Sequence, residues 1–366
     1  MSFVYEEYLL SDINLNFQVL NGIADLVRVL NSNNEVVFVN KAMEKTLGCE
    51  EDNINCKFGN RVLDSRITKR TIETAEIIQR EERIDDNFFS VKCSPIFGSR
   101  GEIIGAVEVF RNITMEKKLQ NEIVEKNKEM TIEMIRAQKI QNSLLPEKGF
   151  FNNISVDYIY RPSSELSGDM FDIFKINDDN IGIYIADAVG HGFASSMITM
   201  FIRIILGNIP NYKLLSPSKT LSDVAKRFAM LNLDIEIYFT CFYGVYNQRT
   251  SKFIFSNAGH FPSPMLIRND GEVLELDSRG FPITRFFKNV KYEDKFVRIN
   301  TFDKILLMTD GVVEARNKYN ESFGERALEI VRKNPIDELR ELEMGLNKFI
   351  KGKQKDDITA LLLKVW

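Results

Sequence analysis

Between Thr114 and Leu145 the chain carries neither glycine nor proline. The stretch "MEKKLQNEIVEKNKEMTIEMIRAQKIQNSLL" is dense in Glu, Lys, Met, Ile and Gln, which lose little side-chain freedom in a helix. Pro146 ends it. A single long helix over 114–145 is the expectation, and it divides the chain into three regions. Leu119, Ile123, Met130, Ala137, Ile140 and Leu144 fall near a and d positions of a heptad that Lys126 and Glu133 interrupt. A coiled-coil signalling helix that makes the protein a homodimer is expected. The alternative is a solvated linker helix with one stripe packed on a neighbour.

Residues 1–113 read as a small antiparallel sheet with short helices. "DLVRVLNSNNEVVFVN" is strand, polar turn, strand. "KAMEKTLG" is a short helix closed by Gly48. "NFFSVKCSPIF" and "EIIGAVEVFRNIT" are further strands around the turn "GSRG". Residues 146–366 form the largest block. Strand-like runs recur there ("SVDYIYRP", "FDIFKI", "NIGIYIAD", "FTCFYGVYN", "KFIFSNAGH", "PMLIRN", "KILLMTDG", "DITALLLKV"), with helical patterns near 192–208, 217–234 and 335–350. Strands joined mostly by short turns, with helices in larger pieces, indicate an α+β fold.

A formal net charge of −4 gives no pull toward nucleic acid or an anionic membrane. The most apolar helical stretch, "SSMITMFIRIILGNI", is interrupted by Arg203 and is shorter than the ~20 residues that span a bilayer. The start "MSFVYEEYLL" lacks a basic leader, so a cytoplasmic protein is expected. The four cysteines, Cys49, Cys56, Cys93 and Cys241, form no CxxC pair. They read as reduced thiols packed as small hydrophobes, with a redox or metal role for Cys49 and Cys56 as the other possibility. With two histidines, His191 and His260, any multi-metal chemistry must rest on carboxylates.

The carboxylates have a pattern. "IGIYIAD" ends at Asp187 and "KILLMTD" at Asp310. "DDITALLLKV" begins at Asp356 and Asp357, and "SGDMFDIF" puts Asp169 and Asp172 just ahead of a short strand. Aspartate favours turns, so each position alone has a structural explanation. A carboxylate at the tip of a buried strand is nevertheless costly unless paired or bound to a cation. A cation held by such a set would be hard and oxygen-seeking: Mg²⁺, Mn²⁺ or Ca²⁺. Two such ions bridged by a carboxylate can activate a water and neutralise a transferring phosphoryl group.

These motifs, in this order, resemble the PPM metal-dependent serine/threonine phosphatases of the SpoIIE/RsbU/RsbP branch. "AQKIQNSLLP" looks like that branch's opening helix, "SGDMFD" its GGDxxD and "DAVGHGFASSMIT" its D-x-x-GHG-x-x-A. "FYGVYN" and "NAGHFPSPML" resemble its central strands, "LLMTDGVVEARN" its TDG-x-x-EA and "QKDDITALLL" its terminal DD-[IM]-T. The resemblance implies an α-β-β-α sandwich over 146–366 with two Mn²⁺ or Mg²⁺ ions. It makes Asp187 and Asp310 the catalytic metal-binding pair, with Asp187 bridging both ions. The Ala188 carbonyl completes one shell, and Asp310 and Asp356 hold the other ion, Asp357 being the near alternative. Asp169 binds directly or through water. Gly190 and Gly192 permit the tight turn. His191 has two readings, a general acid for the leaving oxygen or a structural residue of the turn, and the second is favoured, as it is for His260. Ser167 replaces the usual glycine, which would be costly if the backbone there took a positive φ. Arg161 reads as a surface or interface residue.

Residues 1–113 resemble a PAS domain. "VLNSNNEVVFVNKAMEKTLGC" looks like its opening hairpin and first helix. "GEIIGAVEVFRNITMEKKLQNEI" looks like its last strand and exit motif, with Asn112 where Asp is usual. Its ligand is unknown. Together the resemblances imply a PAS-regulated protein phosphatase acting on a phosphorylated STAS-type anti-anti-sigma factor. A catalytically inactive phosphatase-fold scaffold that binds a regulatory partner is the alternative. A metal phosphodiesterase acting on a small nucleotide is a further rival.

Overall fold

The computed structural model describes residues 18–47, 57–58, 61–62, 66–190, 192–234, 236–287, 290–333, 337–352 and 354–366. The chain divides into two compact units, Met1–Glu129 and Met130–Trp366. The first contains β1 (Leu26–Asn31), β2 (Val36–Val39), a two-stranded ribbon of β3 (Lys57–Phe58) and β4 (Arg61–Val62), then β5 (Ile78–Ile84), β6 (Asn87–Phe97) and β7 (Ile103–Asn112). Five of these form an antiparallel sheet of order β2-β1-β7-β6-β5. Leu26 lies opposite Phe110, and Phe110 opposite Val91. All three are buried with Met43 of the helix Lys41–Leu47. The strand β5, "IQREERI", has no apolar run and is absent from the sequence reading; as the last strand of the order, it needs none on its outer face.

A helix of 30 residues, Thr114–Ser143, follows β7. Asn112 caps its start: the Thr114 N–H donates to Asn112 Oδ1 at 2.9 Å, so the amide oxygen fills the acceptor role of the usual Asp. Leu119, Ile123, Met130 and Ile140 stay exposed along it.

The second unit is a mixed α/β fold with two six-stranded sheets. One runs β10 (Asp169–Lys175), β11 (Asn180–Ala188), β12 (Tyr238–Asn247), β13 (Lys252–Ala258) and β17 (Lys295–Arg298), with β16 (Ile283–Thr284) paired to β12. The other runs β15 (Val273–Glu275), β14 (Met265–Ile267), β18 (Lys304–Met308), β19 (Ile358–Val365), β9 (Ile154–Arg161) and β8 (Gly149–Phe151). Three apolar layers hold this unit together. Ile181, Ile183 and Ile185 of β11 meet Ile305, Leu307, Leu361 and Leu363 between the sheets. The alternate residues Tyr184, Ala186 and Ala188 pack instead with Ile198, Ile202, Leu221 and Phe228 of the helices Phe193–Gly207 and Pro217–Met230. On the far side, Leu306, Met308 and Ala360 pack with Ala327, Val331, Leu342 and Leu346 of the helices Gly324–Arg332 and Glu338–Phe349. Each central strand is thus buried on both faces, which is why "NIGIYIA" and "KILLM" read as unbroken apolar runs. Asp169 and Asp172 lie inside β10, where the sequence alone puts them ahead of the strand.

Candidate functional site

Pairing of β10 with β11 sets Asp169 directly across from Asp187. The Ala188 N–H donates to the Gly168 carbonyl at 3.0 Å, which folds the end of β11 over the start of β10. A side chain on Gly168 would sit 2.9 Å from the Gly190 carbonyl and 3.0 Å from that of Ala188, so glycine permits the approach. Gly190 and Gly192 have φ of 80° and 95°, as the turn requires. His191 lies outside the described residues. In the other sheet, β18 ends at Met308, Thr309 precedes the short helix Asp310–Val313 without a side-chain cap, and Asp310 is the helix's first residue. Gly311 packs so tightly on the next strand's lead-in that a Cβ would fall 1.9 Å from the Asp357 carbonyl. Asp310 is thereby brought beside Asp356, and their charges interact.

Asp356 and Asp357 have different surroundings. Asp357 is buried and its carboxylate is fully engaged: Ser163 N–H donates to Oδ1 at 2.6 Å, and Oδ2 accepts from Gly168 N–H at 2.6 Å and the Ser167 hydroxyl at 3.0 Å. Asp356 is exposed, and accepts the Asp357 N–H at 2.9 Å through Oδ1. Ser167 is buried with φ outside the left-handed region, so the expected backbone strain is not there. Its hydroxyl instead joins Asp357 to the Asp169 N–H, which donates to it at 3.0 Å. The same serine is clamped from the other side. Gln141, fully buried near the end of the long helix, accepts from Ser167 N–H at 3.0 Å and donates to the Ser167 carbonyl at 2.8 Å. Sequence reasoning missed Gln141; its only signal was a polar residue one position from the helix's apolar stripe.

Burial, reinforced by like charge, sets the electrostatics. Burial pushes the Asp187 carboxyl up to about 8, reinforced by the charges of Asp310, Asp356 and Asp357. Burial, then Asp356 and Glu314, pushes Asp310 up to about 6. Asp169, buried and next to Asp187, is held well above the ordinary carboxylate range, although the Thr309 hydroxyl donates to it at 2.9 Å. Among the described residues no three of His, Cys, Asp and Glu already converge as ligands would. The donor set still fits a hard divalent cation: it is all oxygen, partly buried, mutually repelling and free of thiol or imidazole.

Other candidates have structural partners. Asp172 points away from this cluster and pairs with Arg203 at 3.0 Å. His260 is buried and pulled down to about 4 by burial, hence neutral. Its Nε2 lies 3.0 Å from the Met308 carbonyl and its Nδ1 3.3 Å from the Thr240 hydroxyl, linking the strand before Asp310 to the residue opposite Asp187. Ser195 and Ser196 donate to carbonyls of their own helix end, Gly192 and Phe193. Arg161 binds Glu343 at 2.5 Å and Asn347 at 2.8 Å. Cys93 and Cys241 are buried free thiols, and Cys49 and Cys56 lie outside the described residues. Among the described residues no helix is long and apolar enough to cross a membrane.

The sequence model of the SpoIIE family, "Stage II sporulation protein E", matches residues 177–366, which include Asp187, Asp310 and Asp356. The phosphoserine phosphatase RsbP of Bacillus subtilis (strain 168) is 28% identical over 185 residues, 50% of this chain and 45% of that protein. The phosphoserine phosphatase RsbU of the same organism is 26% identical over 191 residues, 52% of this chain and 56% of that protein. The chain thus spans about half the length of these curated relatives. Among solved structures, the SiaA-PP2C domain of Pseudomonas aeruginosa shares the fold, with a TM-score of 0.58 at 21% identity over 66% of this chain and 99% of that one. The family match covers more than half of the chain, which therefore belongs to the SpoIIE family.

Proposed function

We propose that the chain is a divalent-cation-dependent protein serine/threonine phosphatase of a sigma-factor regulatory pathway. The observation that carries this reading is the gathering of Asp169, Asp187, Asp310 and Asp356, from separate strand ends of two sheets, into one repelling all-oxygen cluster. Asp169, Asp187, Asp310, Asp356 and the Ala188 carbonyl would hold the Mn²⁺ or Mg²⁺ ions. Such ions supply an activated water and charge neutralisation at the phosphoryl group. Asp357 is assigned a positioning role, because its hydrogen bonds hold Ser163, Ser167 and Gly168. Thr309 orients Asp169, and neutral His260 ties Met308 to Thr240, fixing the strand ends that carry Asp310 and Asp187. No serine or histidine nucleophile is required.

The finer assignments belong to the same proposal. Residues 1–113 are read as a PAS-like sensor unit, 114–145 as a signalling helix that pairs two chains, and 146–366 as the phosphatase domain. The antiparallel sheet, the Asn112 cap and the exposed apolar stripe of the long helix support the first two. A phosphorylated STAS-type anti-anti-sigma factor is the proposed substrate; RsbP and RsbU carry the name phosphoserine phosphatase. The test is Asp187→Asn and Asp310→Asn, assayed with Mn²⁺ and a phosphorylated STAS protein. Each is expected to lose at least about a hundredfold in kcat/KM. Undiminished turnover in either variant would refute the metal assignment. Absent turnover in the unmodified chain, with partner binding retained, would favour an inactive scaffold.

A further inference from the structure

A groove of ≈ 320 Å³ opens beside the carboxylate cluster, and Gly311, Glu314 and Asp356 line it. Arg316, Lys351 and Lys355, all exposed, line it as well. Among the described residues none of these three cations has an ion-pair partner. Both walls are built rather than loose. On one, Asn317 accepts the N–H groups of Tyr319 and Glu321 at 2.9 and 3.1 Å, and Arg316 donates to the Asn320 carbonyl at 2.9 Å. On the other, Gln354 donates to the Arg161 carbonyl at 2.7 Å and the Asp356 carbonyl at 2.6 Å, which ties the lysine-bearing loop to the end of β9.

Both signs of charge line the groove: Glu314 and Asp356, which interact with Asp310, and the three cations. In a chain of net charge −4, such a cluster is a local departure from the whole-molecule field. The groove's volume is near the low end of ligand pockets, roughly 300–1,000 Å³. That is room for side chains flanking a reacting residue and far too little for a folded domain. We propose that this groove holds the acidic segment flanking the phosphoserine of a protein substrate, with Lys351, Lys355 and Arg316 selecting for its negative charge. The inference rests on the phosphatase reading for its orientation: the phosphorylated residue lies beside Asp310 and Asp356, and its acidic neighbours lie against the three cations.

The experiment uses the full chain and two fluorescent phosphoserine peptides of equal length, one with Asp and Glu flanks and one with neutral flanks. Binding is read by anisotropy for the unmodified chain, a Lys351→Glu/Lys355→Glu variant and a Lys351→Arg/Lys355→Arg variant. The unmodified chain is expected to prefer the acidic peptide by about fivefold or more, less so as salt rises. Charge reversal should abolish or invert that preference, and the arginine variant should keep it. Equal affinity of the unmodified chain for both peptides, or a preference that survives charge reversal, would overturn the proposal. Mn²⁺-dependent hydrolysis of para-nitrophenyl phosphate by the unmodified chain, measured alongside, separates the two readings. Its absence with charge-selective binding intact would remove the phosphatase reading and leave the groove. Its presence with charge-blind binding would remove the groove alone.

Discussion

Each unit has a site that buries charge, and the two sites do so in opposite ways. In the first unit Arg28 and Glu108 face each other across β1 and β7, at 4% and 1% exposure, and are joined at 2.6 Å. The Thr68 hydroxyl donates to the other Glu108 oxygen. The strand-end cluster of the second unit gathers only carboxylates. A buried pair of opposite charges largely compensates itself, whereas a buried set of like charges must take up protons or an outside cation. The contrast separates a structural use of buried charge from a site that asks for a ligand.

Breaking the self-compensated pair has the largest expected effect on stability. Glu108→Gln leaves the Arg28 guanidinium without its counter-charge and should cost about 3 kcal/mol. Denaturant unfolding of the full chain, followed by a probe in the first unit, measures it; a loss below about 0.5 kcal/mol would mean that the pair is no more than a surface-like bridge.

The carboxylate cluster should respond to pH in the way its raised values dictate. Asp187 titrates at about 8 folded against 3.8 in its ordinary state, and Asp310 at about 6 against 3.8. Groups raised in this way contribute stability that is complete below the ordinary value and is lost as pH rises through the folded value. Metal-free protein should therefore lose several degrees of Tm between about pH 4 and pH 8. Mn²⁺ or Mg²⁺ should restore more of it at pH 8 than at pH 5, because ions and protons compete for the same oxygens. Asp187→Asn should flatten the metal-free profile. A Tm that rises across this range without metal would contradict the clustering of like charge.

The smallest effect tests the clamp. Gln141→Ala unpairs the buried Ser167 N–H and carbonyl and should cost about 1–2 kcal/mol. If the clamp positions Asp169 and Asp357, it should also weaken Mn²⁺ binding about tenfold, read by calorimetry. Lost stability with unchanged metal affinity would reduce Gln141 to packing.

Much of the second unit was legible because its physics is local. The apolar runs that became β11, β12, β18 and β19 are continuous because layers cover both faces. What escaped were elements whose stability comes from their neighbours. The charged edge strand β5 has no apolar run and forms by pairing with β6, and the helix Gly324–Arg332, though amphipathic with Ala327 and Val331 inward, is only nine residues long. The sequence reading anticipated strain at Ser167 from a substitution pattern; the fold avoids it by keeping φ out of the left-handed region and giving the hydroxyl two partners.

The sequence by itself determined the donor chemistry: aspartates at the ends of buried strands, two histidines, no cysteine pair, and glycines where the chain must turn. It also determined a long helix, since no residue between Thr114 and Leu145 interrupts one. Only the tertiary structure gave Asp356 and Asp357 different surroundings. Adjacent residues entering a strand point to opposite sides. Asp357 therefore turns inward, where three donors from the Ser163–Gly168 segment meet it, and Asp356 is left facing the site. The pairing of Asp169 with Asp187 and the reach of Gln141 to Ser167 likewise depend on register and packing between segments distant in the chain, which no local pattern encodes.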